Sequence, residues 1–556
     1  MIRLHTLHLG ALLLLLLLPT AAQAQDPANC GQGGDNDPNC PDDDPRMDDA
    51  RYLRSLSLDL RGDLPTVAEL QAVADDPAML ETYIDTWLAS EAFVTRAVRL
   101  HGSLLWPNIS NVQLMNAATV FFRSDGSPSY WIRARANTYR GGQQPCFDTP
   151  VVKIDGVIQT TYDPGTNTHR EGYELIYPYS DPGTPIKVCA FDAQTDLISP
   201  TGTECETRDG FGDPACGCGP NLNWCRVGGA ATNPEVLNGF GQDVERRVAR
   251  VIRDDLSYLE LFTSPVAFVN GPIVHYWNHQ SEMHAGVRLK PIPVPVEQLP
   301  DLDYTDTESW HTIQLGDEHA GILTSPLYLL RFQTGRARAN RFSNAFMCMP
   351  HSPPANGIFG NSKGDDDDVP TGNGWCSSYD GTEEALIQDL QCRPGCDYCH
   401  ALLEPEAAYW GRWTDAGAGY LSPDRFPAQS DECYECATTG TLCSADCSRY
   451  YVTNPLSEES EDFIGMLKTF EFRKEVHQDN PELGPKRMVT SAVADASGRL
   501  PTCVSGTAAS YLLGRDVKEE KHEWISELSA GFVASGFSYR SLIREIVTSP
   551  VYRSLR

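Results

Sequence analysis

Positive charge is what this chain has least of. Lys and Arg number 44 against 75 Asp and Glu, and the net charge is −31. A nucleic-acid-binding protein needs a basic face, and no stretch of this sequence supplies one. Charge of this sign favours solubility and a partner that is basic or carries a metal. Long apolar runs are missing as well. Beyond residue 24 no stretch of about 18 consecutive apolar residues occurs, so no membrane-spanning helix is expected in the mature chain. Neither H-E-x-x-H nor a Walker loop is present, and no hydrolase reading is expected. The chain has 556 residues, too many for one small core, and reads as several domains.

Cysteine, by contrast, is plentiful, with 18 in the chain. Residues 1–24 read as a secretory signal. Arg3 lies in a short basic region, Leu9 to Leu18 form the apolar region, and Ala22-Gln23-Ala24 is a small-residue cleavage site. No cysteine follows that site, so a lipid anchor is not indicated. Exported cysteines oxidise, and the expected location is periplasmic, cell-surface or extracellular.

One stretch stands apart from the disulfide cysteines. Cys396-Asp397-Tyr398-Cys399-His400 reads C-x-x-C-H, the spacing of a covalently attached c-type haem. Two thiols three residues apart on one turn reach the vinyl groups of one porphyrin edge. The residue that follows then offers its imidazole to the iron. Composition alone would give on the order of 0.01 such matches. Setting these two cysteines aside leaves 16 of the 18, enough for up to eight disulfides. The expected function is one-electron transfer with an unidentified redox partner protein.

Two other readings stay open. One is a haem-free, disulfide-stabilised secreted or surface protein that binds a partner or acts as a scaffold. The other places zinc at Cys392, Cys396, Cys399 and His400. Calcium is considered at Asp42-Asp43-Asp44 and at Asp365 to Asp368, but neither has EF-hand spacing and both read as solvated acidic loops. For the sixth iron ligand the candidate is Met466, in an expected apolar helix from Phe463 to Leu467, where Gly465 would permit close backbone approach. Met349, Met488 and His351 are alternatives. Glu404-Pro405 is expected to turn the chain after the motif. Tyr409, Trp410 and Trp413 would then cover the haem or form a plain aromatic core.

The expected fold class is mainly α: multi-helix, cytochrome-c-like domains with a disulfide-rich irregular or β insertion. The acidic linker covers 25–47 and the N-terminal helical domain 48–106. In that domain Leu53, Leu56, Leu60 and Leu64 form one stripe, Thr66 caps the next helix, and a further helix runs from about Leu80 to Trp106. The insertion covers 107–232, with six cysteines and short β-prone runs at 151–154 and 173–177. Residues 233–318 return to helix, with Val244 to Leu261 amphipathic and Pro291 to Pro300 a stiff connector. The haem-motif domain covers 319–455; its Cys433-x-x-Cys436 lacks a following His and is expected in disulfides with Cys443 and Cys447 rather than on zinc. The C-terminal helical domain covers 456–556. Thr-Ser-Pro recurs at 263–265, 324–326 and 548–550, where Ser can cap and Pro can open a helix.

Several of these segments carry a family resemblance. Leu58-Asp59-Leu60-Arg61-Gly62-Asp63-Leu64-Pro65 resembles the LDLTGRLPT opening of the helical domains of unknown function from planctomycete and myxobacterial cytochrome-c-associated proteins. Gly321-Ile322-Leu323-Thr324, leading to Cys348 and a proline-rich turn, resembles the element that precedes C-x-x-C-H there. Glu404-Pro405 stands where that family has Asp-Pro. Cys503 with Leu513-Gly514-Arg515, and Ser535 to Ile543 with Thr548-Ser549-Pro550, resemble its C-terminal elements. The resemblance covers roughly 48–106 and 240–556 and implies haem at Cys396, Cys399 and His400. It implies no defined activity.

Overall fold

The computed structural model describes residues 47–110, 112–114, 120–123, 131–133, 146–213, 215–228, 232–281, 283, 292–351, 397–415, 418–455, 461–473 and 484–554. The signal, the aspartates at 42–44 and 365–368, and the cysteines Cys392 and Cys396 lie outside these residues.

The fold is mainly α, as the patterning predicts. The first helix, Asp49–Leu60, begins at Asp48, whose carboxylate accepts from Arg51 N, and buries Leu53, Leu56 and Leu60 completely. Leu64 is not part of that stripe. The helix stops at Leu60, and Leu64 is 57% exposed in the turn that follows. Thr66 caps Val67–Asp75 in a reciprocal pair with Glu69, which satisfies two backbone donors at once. The expected long helix to Trp106 is two helices, Met79–Leu88 and Glu91–Leu105. Ser90 separates them, accepting from Phe93 N.

The two ends of the described chain meet. Tyr52 donates to Val547 O, Tyr552 donates to Asp59, and Arg553 pairs with Asp49. One apolar core runs from Met47 to Tyr552 and takes side chains from every described α-helix. Its spine is Pro234–Arg253, which carries Val244, Val248 and Val251 inward. The arginines of that helix behave differently from one another. Arg250 and Arg253 face outward and pair with Glu260 and Glu91, whereas Arg247 is buried against Asp243. The helix ends at Arg253, earlier than expected.

The Thr-Ser-Pro repeats diverge. Ser325 and Ser549 cap Pro326–Arg331 and Pro550–Arg553, accepting from Tyr328 N and Tyr552 N. After Ser264-Pro265 comes a strand instead, Val266–Val269, paired antiparallel with His311–Gln314. Val266, Ala267, Phe268 and Val269 are β-prone and fit a pleated, buried surface.

The insertion is a five-stranded mixed sheet in the order Tyr173–Ile176, Ile186–Cys189, Trp131–Arg133, Val120–Arg123, Arg226–Val227. Small cores built partly on Cys146, Cys189, Cys205, Cys216, Cys218 and Cys225 hold it, and these six pair as Cys146–Cys189, Cys205–Cys216 and Cys218–Cys225. Arg133, buried, meets Asp192 at 3.0 Å and donates to Cys216 O. Among the described residues no helix is long and apolar enough to cross a membrane.

Candidate functional site

The helix Asp397–Ala407 carries the second half of the C-x-x-C-H motif, and Cys399 and His400 sit on its first turn. Residues four apart share a helix face. That spacing brings His400 over Glu404, and His400 Nδ1 donates to Glu404 Oε1 at 2.6 Å. The Glu404 carboxylate is buried, with 3% of its side chain exposed. Burial of an unpaired carboxylate would be costly. Here Arg336 Nε also donates to Oε1, at 2.6 Å, from the neighbouring helix Gly335–Phe346.

Two residues along, Glu406 reaches a different set of groups. It accepts from Ser343 Oγ at 2.6 Å and from His351 Nε2 at 3.2 Å. The helix Gly335–Phe346 thus supplies a partner to each carboxylate. The two helices approach closely at Gly335, where a β-carbon would come within 3.2 Å of Ala407 O. Asp415 caps the approach by accepting from Gly335 N at 2.8 Å.

The segment after the motif is fixed from the same helix. Arg338 is fully buried, and its guanidinium donates to the carbonyls of Phe332, Trp413 and Thr414. Burial pulls its pKa down to about 10, which still leaves it charged at neutral pH. Trp410 donates its indole N–H to Leu323 O at 3.0 Å, and Trp413 meets the edge of His319. Tyr409, Trp410 and Trp413 are all buried in the main core. Glu404-Pro405 does not turn the chain. The helix passes through Pro405 to Ala407 and tightens into a 3-10 turn over Ala408–Trp410.

Met466 is not on a helix. Residues 462–465 form a turn with Gly465 at φ 81°, and Met466 bridges to Gln429. Its N–H donates to Phe463 O, and its carbonyl accepts from Val452 N. A side chain at Gly465 would collide with Tyr434 and Gln429, so the glycine serves the packing of this lobe. The lobe is stapled by the nested disulfides Cys433–Cys447 and Cys436–Cys443, which settles these four cysteines as disulfides rather than zinc ligands. Met349 accepts from Arg499 at the surface, and Met488 is in the core. Among the described residues no group of three or more His, Cys, Asp or Glu side chains gathers as for a metal ion.

A sixth disulfide, Cys348–Cys503, joins two segments singled out by the family resemblance. Arg336, Arg338 and Ser343 were not legible as site residues, because each meets its partner across some 60 to 80 residues and no motif spacing marks them. The hydrolase reading needs one correction. Gly360-Asn361-Ser362-Lys363-Gly364 does spell G-x-S-x-G. It lies outside the described residues, with only Ile358 and Phe359 as an apolar lead-in, short of the strand that a nucleophile elbow requires.

No protein-family model, no curated protein and no solved structure matches this chain.

Proposed function

We propose that the chain is an exported, monohaem c-type electron-transfer protein. Cys396 and Cys399 would hold the haem through thioethers, and His400 would be the proximal ligand. Haem c, when bound, supplies a one-electron Fe(III)/Fe(II) couple.

The observation that carries this reading is the His400–Glu404–Arg336 chain. A metal-binding histidine characteristically donates its second ring N–H to a carboxylate or carbonyl, which fixes tautomer and ring orientation. With Nδ1 committed to Glu404, Nε2 is the ring nitrogen that would bind iron. Arg336 holds Glu404 in place. The six disulfides among the described residues fit the oxidising compartment in which haem c is attached.

For the opposite face of the haem, the sequence offers Met466. If its sulfur is the sixth ligand, Met466→Ala converts low-spin haem to high-spin. An unchanged spectrum passes the role to His351, which already contacts the motif helix through Glu406.

The test is a visible spectrum of the full chain made with a working haem c maturation system. A Soret band that survives acid–acetone extraction, and is lost when Cys396 and Cys399 are both replaced by Ala, supports the proposal. Colourless protein without reactive thiols favours the haem-free scaffold. Stoichiometric zinc favours the metal site at Cys392, Cys396, Cys399 and His400.

A further inference from the structure

A path of aromatic rings leads from the candidate site to the surface. Trp410, just beyond the His400 helix, stacks on Tyr328 with centroids 6.3 Å apart. Tyr328 meets Phe332 at 4.9 Å, and Phe332 meets Trp106 at 6.1 Å. Trp410 stands ten residues past His400, roughly 15 Å of helical rise. Tyr328 and Trp410 are buried, whereas Trp106 is 46% exposed.

Trp106 is held there against its own preference. It ends the helix Glu91–Leu105 in the left-handed conformation, φ 51° and ψ 61°. Glycine is the usual residue at such a helix end, and a residue with a β-carbon is disfavoured there. A large ring kept half in water at a strained position is an observation that points to use.

Its surroundings give the use a charge. The guanidinium of Arg341 lies 4.0 Å from the Trp106 ring centroid and that of Arg331 lies 5.3 Å away. Arg341 is anchored by donating to Leu104 O at 2.6 Å. Arg253, Arg336 and Arg544 are paired with carboxylates. Among the described residues, neither Arg331 nor Arg341 is in a salt bridge, and both guanidiniums lie against the Trp106 ring. In a chain of net charge −31, this is a local positive spot around an exposed aromatic.

We propose that Trp106, with Arg331 and Arg341, is the docking surface for an acidic-faced one-electron redox protein. The proposal deepens the haem reading and rests on it for the electron. With haem bound, one electron would leave the reduced centre of the partner, which is oxidised by one unit, and would reduce Fe(III) to Fe(II). No bond forms or breaks and no proton moves. The rings shorten the gap without being oxidised themselves. Aromatic and arginine side chains are the residues enriched where proteins dock, and opposite charge steers the encounter.

The test uses the full chain and polyglutamate as the acidic probe. Polyglutamate should perturb tryptophan emission, and Trp106→Phe should abolish the change. Arg331 is exposed, so Arg331→Glu leaves the packing intact; it should weaken binding about fivefold, the scale of one exposed ion pair, as should added salt. Iodide should quench Trp106 more strongly than caesium does, and Arg331→Glu should narrow the difference. Failure of polyglutamate to bind, or equal binding by Arg331→Glu, would overturn the proposal. Colour reports on the haem alone and polyglutamate on the patch alone, so the two failures are told apart.

Discussion

His400 donates Nδ1–H to Glu404 across 2.6 Å, and the carboxylate that receives it is nearly out of water. If His400 binds haem iron as proposed, negative charge at that position would push electron density toward the imidazole and favour the ferric state. Arg336, on the same oxygen, offsets part of that charge.

The two substitutions should therefore move the reduction potential in opposite directions. Glu404→Gln should raise it by tens of millivolts, since one nearby charge is worth roughly 1 kcal/mol at intermediate dielectric. Arg336→Gln uncovers the carboxylate and should lower it. Arg336 is half exposed, so its effect is smaller and fades as salt is added. Redox titration at low ionic strength measures both. A potential that stays put or falls in Glu404→Gln would argue against that carboxylate as the partner of the ligand.

Disulfides of unequal span should differ in what they contribute. Cys348–Cys503 closes 155 residues of sequence, Cys436–Cys443 only 7. Loop-closure entropy assigns about 5 kcal/mol to the first and about 2 to 3 to the second. Replacing Cys348 and Cys503 together by Ser should lower Tm more than the same change at Cys436 and Cys443. Equal shifts would mean that the long loop is already constrained by the core around Ala345, whose carbonyl lies against Cys503 Sγ.

Thiol chemistry offers a separate check. Among the described residues, six disulfides account for twelve cysteines. Alkylation in denaturant without reductant, followed by peptide mapping, should leave all twelve unlabelled. Label at Cys433, Cys436, Cys443 or Cys447 would contradict the nested pair and reopen metal binding there.

What the sequence made legible was local. Leu53, Leu56 and Leu60 announce a buried helix face by spacing, Thr66 and Glu69 announce a cap, and Ser325-Pro326 announces a helix start. The same rules misread Leu64, because Gly62 had already ended the helix, and Ser264-Pro265, because a partner strand at His311–Gln314 captured the residues that follow. Met466 was misread as helical because an apolar run has no period of its own. Long-range pairing to Gln429 and Val452 decides its backbone. The C-x-x-C-H spacing was legible, but the helix that carries it through Pro405, and with it the His400–Glu404 contact, was not, since Glu404-Pro405 was expected to turn the chain. Arg336 and Ser343 were not legible either, since tertiary packing alone brings them to that helix.

Acid should weaken the fold well before its carboxylates protonate. His101 is buried between Tyr258 and Tyr539, and its ring nitrogens contact Ala97 O at 2.7 Å and the Tyr258 hydroxyl at 2.9 Å. His319 contacts Pro293 O, and His275 stacks on Tyr179 with centroids 3.9 Å apart. Burial is the largest cause in all three cases. It depresses His101 and His319 to about 4 and His275 to about 3. A depressed pKa means that the folded state keeps these rings neutral while the unfolded chain takes up protons near pH 6.5. The unfolded state then binds more protons, so stability falls as pH drops below about 6.5 and goes on falling until the folded pKa values are reached. Each ring contributes up to about 1.4 kcal/mol per pH unit in that window. Urea midpoints should therefore fall steadily from pH 7 to pH 5. His101→Gln has no proton to take up in the unfolded state; it should be less stable at pH 7 yet show a shallower decline. A decline as steep as that of the parent would mean that His101 is not held neutral in the folded chain.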